Sequence, residues 1–521
     1  MDSTLEHDPH QPQATVARLL STRGRFFAFL AAYFALQFVV RLATSPTVDL
    51  DEGEQLIATQ QLAWGYGPQP PLYTWLQFPL VQLFGANVLP LCLLKNILLF
   101  CLYALTYLNA RLLTRNHWLS MVATVSLLFI PQIVWESQRD LTHSVLVTVF
   151  AAATFHVVLQ LRELCDESPG AATDSNGTSL CWRSLKWFVA LGLCVGCGVL
   201  SKYNYIVFFT GLIGAALMER RWRRVLVSRA GLLSLSLCVA AISPHIIWVL
   251  ANRDRALATA SKLELLENAT HLVASGAGLS NLGIAIVYYS MALLAVYGIV
   301  CFRKLNPPIE SIEPDSVRLI PKALVLMLGV LLAGVLFFKV TGFKDRWFSP
   351  LLIWLPLLLV VKMRTRLNGK RVATMIFLAF AVGAGVLLAI PARIHFATVT
   401  HQPQRQNVSF SALTEGALRA RNPRLIFAQN NFIGGNLKRC FPDAFVFNPL
   451  VSLRPAETSG AECLVVWDAT RTNLPRRDVL AELRRFVDVD WNGTNLHYVS
   501  APMLHYPKKE ARLGFANGKL K

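Results

Sequence analysis

The chain has 521 residues, of which 54% belong to the apolar set Ala, Val, Ile, Leu, Met, Phe, Trp, Tyr and Cys and only 16% are Asp, Glu, Lys or Arg. Ordinary globular chains carry roughly 25% charged residues, so a disordered chain, collagen, a disulfide scaffold and a simple soluble enzyme all fit poorly, whereas a polytopic membrane protein fits. The net charge of +19 is scattered in short basic clusters between apolar runs, which is the pattern of loops flanking membrane helices and not of a nucleic-acid surface.

The first 25 residues are polar, with Pro9, Pro12, Arg18, Arg23 and Arg25, and read as a cytoplasmic tail, since a cleavable signal would carry an apolar core nearer the start. A multi-span domain follows over 26–392. A spanning helix needs about 20 apolar residues, and eleven segments qualify as candidates: 26–43, 88–110, 118–135, 141–161, 185–201, 203–218, 226–248, 281–301, 322–340, 347–363 and 373–391. The pair meeting at 201–205 implies a tight turn. Lys and Arg crowd one set of loops, for example Arg220, Arg221, Arg223, Arg224 and Arg229 in a single connection, and thin out on the other face. That asymmetry predicts a cytoplasmic N-terminus and, with eleven spans, an extracytoplasmic C-terminus. The loop 166–179 reads as a flexible connection. From 393 to 521 the composition becomes soluble, with β-rich runs at 425–428, 444–447, 463–467 and 496–500 and a helical stretch at 479–486. This predicts a small α/β outer domain, in which Cys440 and Cys463 could pair in an oxidising compartment. Cys194 and Cys197, inside an apolar run, read as small buried hydrophobes.

The outer loops are poor in charge, and the charges present sit at helix ends, where keeping them costs free energy. The first loop, 44–89, holds Asp49, Asp51, Glu52 and Glu54 and no Lys or Arg. Leu56, Ile57, Ala63 and Trp64 follow at helical spacing, which predicts an amphipathic helix on the membrane surface. Its acidic start also suits simple capping of that helix. Gly65-Tyr66-Gly67 ends it, and Gln69-Pro70-Pro71 opens another interfacial piece. The next outer turn carries Glu136, Arg139 and Asp140, which could equally form a plain surface ion pair. Lys202 and Tyr203 occupy the tight turn, Pro244-His245 ends another helix, and Lys344 and Arg346 lie between two more spans. Carboxylates suit deprotonation of a hydroxyl or retention of a metal. Lys and Arg suit a lipid-linked phosphate, whose charge they neutralise.

The run Asp51-Glu52, Gln61-Leu62-Ala63-Trp64-Gly65-Tyr66, Gln69-Pro70-Pro71-Leu72, Trp75 and Leu83-Phe84-Gly85 resembles the first-loop signature of ArnT-like and protein O-mannosyltransferase-like glycosyltransferases. Lys202-Tyr203, Pro244 to Trp248 and Arg346-Trp347 to Pro350 resemble further landmarks, so that the likeness covers 26–360. It implies a glycosyltransferase C-type fold: an α-helical polytopic membrane protein with about eleven transmembrane helices. It also implies transfer of a sugar, with inversion, from a polyprenyl-phosphate donor to a lipid or glycan acceptor of the cell envelope, at the periplasmic side of a bacterial inner membrane. By the same resemblance Asp51 and Asp140 are the catalytic carboxylates, Lys202, Lys344 and Arg346 contact the donor phosphate, and Glu52, Tyr66, Gln69, Tyr203 and His245 bind substrate or support the site. No metal ligand is assigned, although His245 with Glu52 is a candidate pair for a divalent ion. Rhizobial transferases that add galacturonic acid to lipopolysaccharide belong to the same wide group. The chain departs from the aminoarabinose transferases at Gly53-Glu54-Gln55, where those carry an Arg-Tyr pair. A flippase of lipid-linked sugars is the rival reading. It predicts inverted repeats and charges at mid-membrane, whereas Lys95 and Lys339 both fall near the outer boundary. A non-catalytic envelope assembly protein is a second rival, and an enzyme of the endoplasmic reticulum, with sequons at Asn268, Asn407 and Asn492, a third.

Overall fold

In lipid, an apolar run has no hydrogen-bond partner for its backbone except itself, so it forms helix. In the computed structural model, which describes residues 10–12, 19–167, 182–265, 270–303, 315–451, 453, 455, 459–475, 477–491 and 495–521, the helices come in this order. First are α1 (Arg23–Thr44), the short α2 (Leu50–Ala58) and α3 (Leu72–Phe84) of the first loop, α4 (Val88–Thr114), α5 (His117–Val125), α6 (His143–Glu167) and α7 (Trp182–Ser201). Then follow α8 (Tyr205–Leu217), α9 (Arg220–Leu226), α10 (Arg229–Ala251), α11 (His271–Cys301), α12 (Leu319–Phe338), α13 (Leu355–Met363) and α14 (Gly369–His395). Most of the expected tail, the 166–179 connection beyond 167, and the sequons at Asn268 and Asn492 lie outside the described residues.

All eleven segments expected to span the membrane are helical, but not all are straight. Among the described residues seven helices are long and apolar enough to cross by themselves: α1, α4, α6, α10, α11, α12 and α14. Two others are bent pairs, by 73° between His117–Phe129 and Gln132–Arg139 and by 55° between Asp345–Leu352 and Leu355–Arg366, while α7 and α8 are shorter apolar helices. The first bend falls at Pro131, which cannot donate to the preceding turn, and a π-helical turn over Gln132–Glu136 follows. The bend turns Arg139 and Asp140 towards the first loop. One apolar cluster, with Phe26, Tyr103, Phe155, Phe208 and Trp354 among its largest members, fills the space between the helices.

After α14 come β1 (Leu425–Ala428), α15 (Asn431–Cys440), β2 (Phe445–Phe447), β3 (Glu462–Asp468), α16 (Arg477–Leu483), β4 (Val487–Val489), β5 (His497–Met503) and β6 (Tyr506–Leu520). The sheet order is β2-β1-β3-β6-β4, with β5 also pairing β6. β1 runs parallel to β2 and β3, and the β6 pairings are antiparallel. Cys440 and Cys463 are free thiols. They pack in clusters on opposite faces of the sheet, which separates them. Cys194 and Cys197, a Cys-x-x-Cys spacing within α7, are free as well.

Leu56 and Ile57 of α2 pack against protein, where their spacing predicts a face on the membrane surface, while Leu62 and Trp64 further along the loop are exposed. Leu56 and Ile57 are fully buried, and Ile57, Ala58 and Tyr66 share one apolar cluster with Ile426, Val446 and Leu464 of the sheet domain. The outer domain thus supplies the apolar partner that the pattern alone assigns to lipid. The approach is close because it is glycine against glycine. A Cβ on Gly53 would lie 2.3 Å from the Asn431 carbonyl oxygen, and one on Gly435 would lie 2.2 Å from the Gly53 Cα. Asn436 completes the joint, donating to the Val48 carbonyl at 3.0 Å and accepting from its N–H at 3.1 Å.

Candidate active site

The site is built on α2. Asp49 caps this helix, accepting from the N–H groups of its first turn, while the Glu52 carboxylate reaches back to the Asp49 N–H at 3.1 Å, a reciprocal capping box. Glu52 is fully buried and also accepts from Arg41 Nη2 at 2.7 Å and Lys95 Nζ at 3.3 Å. Burial alone would raise its pKa, but the two cations and the hydrogen bonds outweigh it and bring it down to about 2. Glu52 therefore locks α2 to α1 and α4 as a permanent anion. Arg41 further donates to the carbonyls of Ser45 and Thr47 at 2.7 and 3.1 Å, folding the loop over its own helix.

Asp51, next in the chain, is half-buried, and its N–H donates to Asp140 Oδ1 at 2.9 Å. Burial raises the Asp51 carboxyl, against the opposing fields of Arg346, Lys202 and Lys95. Burial also raises that of Asp140, and the charges of Asp51 and Asp49 add to the effect. The two carboxyls titrate as a pair, and Asp51 is the member acted on by Arg346 and Lys202.

The cations come from two other loops. Lys202 donates from Nζ to Ser144 Oγ at 2.7 Å. Burial, with Arg346 next, lowers its ammonium to about 8, while Asp51 pulls the other way. Arg346 is half-buried, its N–H bonded to the Asp345 carboxylate at 2.8 Å, and Asp345 in turn accepts from Gln132 Nε2 at 2.7 Å. Lys344 is lowered by burial and by Arg346. Asp51, Asp140, Lys202, Lys344 and Arg346 thus share one electrostatic neighbourhood.

The other residues singled out from sequence sit around this centre. Tyr203 OH donates to His245 Nε2 at 2.9 Å, because His245 Nδ1 must donate to the Trp64 carbonyl at 2.7 Å. Trp248 stacks on the same imidazole at 5.9 Å. Both His245 nitrogens are engaged, as are both Glu52 oxygens, so the pair considered for a divalent ion does not form. Tyr66 OH accepts from the Ala63 N–H at 3.0 Å and donates to the Gln61 carbonyl at 3.1 Å, and thereby holds the turn inside the protein. Gln69 lies half-buried at the entry to α3. Glu136 and Arg139 make the plain ion pair, at 2.9 Å. Among the described residues no three His, Cys, Asp or Glu side chains converge as metal ligands.

Two charged residues join the site without a role assigned from the sequence. Lys262 acts on Lys202, Lys344 and Glu54. It is brought there because the Leu263 carbonyl accepts from the N–H groups of Thr341 at 3.1 Å and Gly342 at 2.8 Å. A side chain at Gly342 would place its Cβ 2.3 Å from the Lys262 carbonyl oxygen, so only glycine lets the segments meet. Glu54, three residues after Asp51, is pushed up to about 7 by burial and then by the Asp51 charge. It accepts from Asn431 Nδ2 of α15 at 3.2 Å. Lys262 carries no local signal, and Glu54 differs from its acidic neighbours only by partners far along the chain.

Chemically, the arrangement opposes a half-buried carboxylate, Asp51, to several ammonium and guanidinium groups. The carboxylate can take a proton from a hydroxyl, and the cations can neutralise a departing phosphate. Residues 50–252, which include α2, Asp140 and the Lys202 turn, match the family model described as dolichyl-phosphate-mannose-protein mannosyltransferase. The lipopolysaccharide core galacturonosyltransferase RgtB of Rhizobium johnstonii is 34% identical over 446 residues, covering 85% of this chain and 86% of its own. RgtA of the same organism, with the same description, is 29% identical over 481 residues, covering 89% and 90%. The crystal structure of ArnT from Cupriavidus metallidurans bound to undecaprenyl phosphate superposes with a TM-score of 0.56 at 12% identity, covering 94% of this chain and 98% of ArnT, a likeness of fold.

Proposed function

Because the chain belongs to the C-type-fold family of membrane glycosyltransferases that includes these galacturonosyltransferases, we propose that it moves galacturonic acid from a polyprenyl-phosphate carrier to a lipopolysaccharide-core acceptor. The reaction takes place at the periplasmic face of a bacterial inner membrane, with the N-terminus cytoplasmic and the α/β domain outside. The acceptor hydroxyl oxygen attacks the anomeric carbon as the bond to the phosphate oxygen breaks, with inversion. Its proton passes to Asp51, and the polyprenyl phosphate leaves with its added negative charge held by Lys202, Arg346, Lys344 and Lys262. Asp140 fixes the Asp51 backbone. Glu52, Tyr66, Tyr203 and His245 position the loop, and Gln69 lies at its edge.

The observation that carries this reading is the half-buried Asp51, bonded through its N–H to Asp140 and facing cations from separate loops. A flippase would place its charges along a path through the membrane, whereas these gather beside the outer loops. Mass spectrometry of lipid A, core oligosaccharide and other envelope glycans, with and without the gene, tests the function. The expected result is loss of one hexuronic acid unit, restored by the wild-type gene. Asp51→Asn should restore it poorly, with transfer down by about 10²- to 10⁴-fold, the usual contribution of a general base. Full transfer by that variant removes Asp51 from the reaction.

A further inference from the structure

Near the residues gathered around Asp51 the protein holds a cavity of about 300 Å³. Its charged and aromatic lining comes from Asp49, Trp135, Arg139, Arg393 and Arg405, with Gln404 between them. It adjoins the reacting centre along the chain: Asp49 precedes Asp51 by two residues, and Arg139 directly precedes Asp140. None of Lys202, Lys262, Lys344 or Arg346 lines it. Arg405 Nη1 donates to Asp49 Oδ1 at 2.9 Å, and Arg139 Nη2 to Glu136 Oε2 at 2.9 Å, while the buried Arg139 Nε has no hydrogen-bond partner. Arg393, in the last turn of α14, meets no carboxylate among the described residues. It donates to the neutral Gln404 Oε1 at 3.0 Å and lies 5.2 Å over the Trp135 ring.

Three guanidinium groups stand against two carboxylates, Asp49 in the lining and Glu136 on Arg139, which leaves Arg393 as uncompensated positive charge in a partly buried hollow and favours a bound anion. Guanidinium forks match carboxylate and phosphate in a bidentate way, and the Trp135 ring under Arg393 holds that fork in place. The volume, at the lower end of ligand pockets, suits one sugar unit. We propose that this cavity is the acceptor subsite: it binds an anionic group, carboxylate or phosphate, on the acceptor glycan, with Arg393 as principal partner, and so presents the neighbouring hydroxyl to Asp51. The inference rests on the transferase reading above and adds the chemical class of the acceptor.

The test uses the full-length protein in detergent and, as probe, core oligosaccharide deacylated from a strain lacking the gene. The probe is prepared in three forms: intact, carboxyl-reduced and dephosphorylated. Dissociation constants are measured for wild type, Arg393→Gln, Arg393→Lys and Asp51→Asn. The intact probe should bind wild type, and Arg393→Gln should weaken it by about tenfold to hundredfold, the range of one charged hydrogen-bonded contact. Arg393→Lys should recover part of the loss. Arg405→Gln is a second variant should Arg393→Gln unfold, as read from its melting curve. Weakening on carboxyl reduction identifies a carboxylate, and weakening on dephosphorylation a phosphate. Equal binding of all three forms, wild-type affinity in Arg393→Gln, or no binding to wild type each overturns the subsite. Asp51→Asn should bind the probe like wild type, so unimpaired transfer by that variant would sink the catalytic reading alone.

Discussion

Lys202 joins the turn between α7 and α8 to the chemistry, and its environment predicts how the enzyme responds to pH. Burial and the neighbouring Arg346 bring its ammonium down to about 8. Only the protonated form can hold a phosphate oxygen, so transfer should fall as pH rises through about 8. The acid side has the opposite slope: Asp51 and Asp140 both have raised pKa values, they titrate as a pair, and the rate should climb as the pair loses its first proton. Lys202→Arg separates the two limbs. A guanidinium stays charged beyond pH 12, so the basic limb should disappear while the acid limb stays in place. The rate at neutral pH should drop by about tenfold, because the planar fork cannot copy the single contact to Ser144. A profile of kcat/KM from about pH 6 to pH 10 checks this. A basic limb unchanged in Lys202→Arg would assign it to some other group.

At the scale of elements, α2 carries Asp51, the proposed base, but its position is set by α15 from the opposite end of the chain. Gly53→Ala tests this coupling. The new Cβ would meet the Asn431 carbonyl at 2.3 Å, and an overpacked contact of this kind costs about 1–3 kcal/mol. The expected outcome is a lower melting temperature together with reduced kcat, since displacing α2 displaces Asp51. Gly24→Ala in α1, where an added Cβ meets nothing within 4 Å, should be neutral or stabilising by up to about 1 kcal/mol, the propensity difference in a helix. The same joint explains what the sequence made legible. The membrane helices are long apolar runs, and β1 and β3 are short apolar ones, so both could be read locally. Residues 506–520 alternate poorly and carry Lys508, Lys509 and Glu510, yet they form the long central strand β6, because β3, β4 and β5 all need a partner. The amphipathic pattern of α2 was legible too, but no pattern says whether an apolar face meets lipid or protein.

At the scale of the whole molecule, the site depends on loops that are distant in sequence and alike only in emerging from one end of the helical bundle. Asp51, Asp140, Lys202 and Arg346 were legible because family landmarks and sparse outer charges mark them. Lys262 was not, because its place follows from the Leu263 contact with Thr341 and Gly342, and Arg393 and Arg405 were not, because only the packing of the end of α14 and of the segment after it brings them into one cavity with Trp135. The proposed orientation follows from charge. Arg220, Arg223 and Arg229 crowd the α8–α10 connection, and Arg364, Arg366, Lys370 and Arg371 the turn into α14, whereas the loops around Asp51 hold few cations. By the positive-inside rule the crowded loops face the cytoplasm. Alkaline phosphatase fused after Lys521 should therefore be active, and green fluorescent protein at the same place dark, while a fluorescent fusion ahead of Met1 should be bright. The reverse result would turn Asp51 and its neighbouring cations to the cytoplasm. The transfer chemistry could survive that reversal, but an acceptor reached from the periplasm could not.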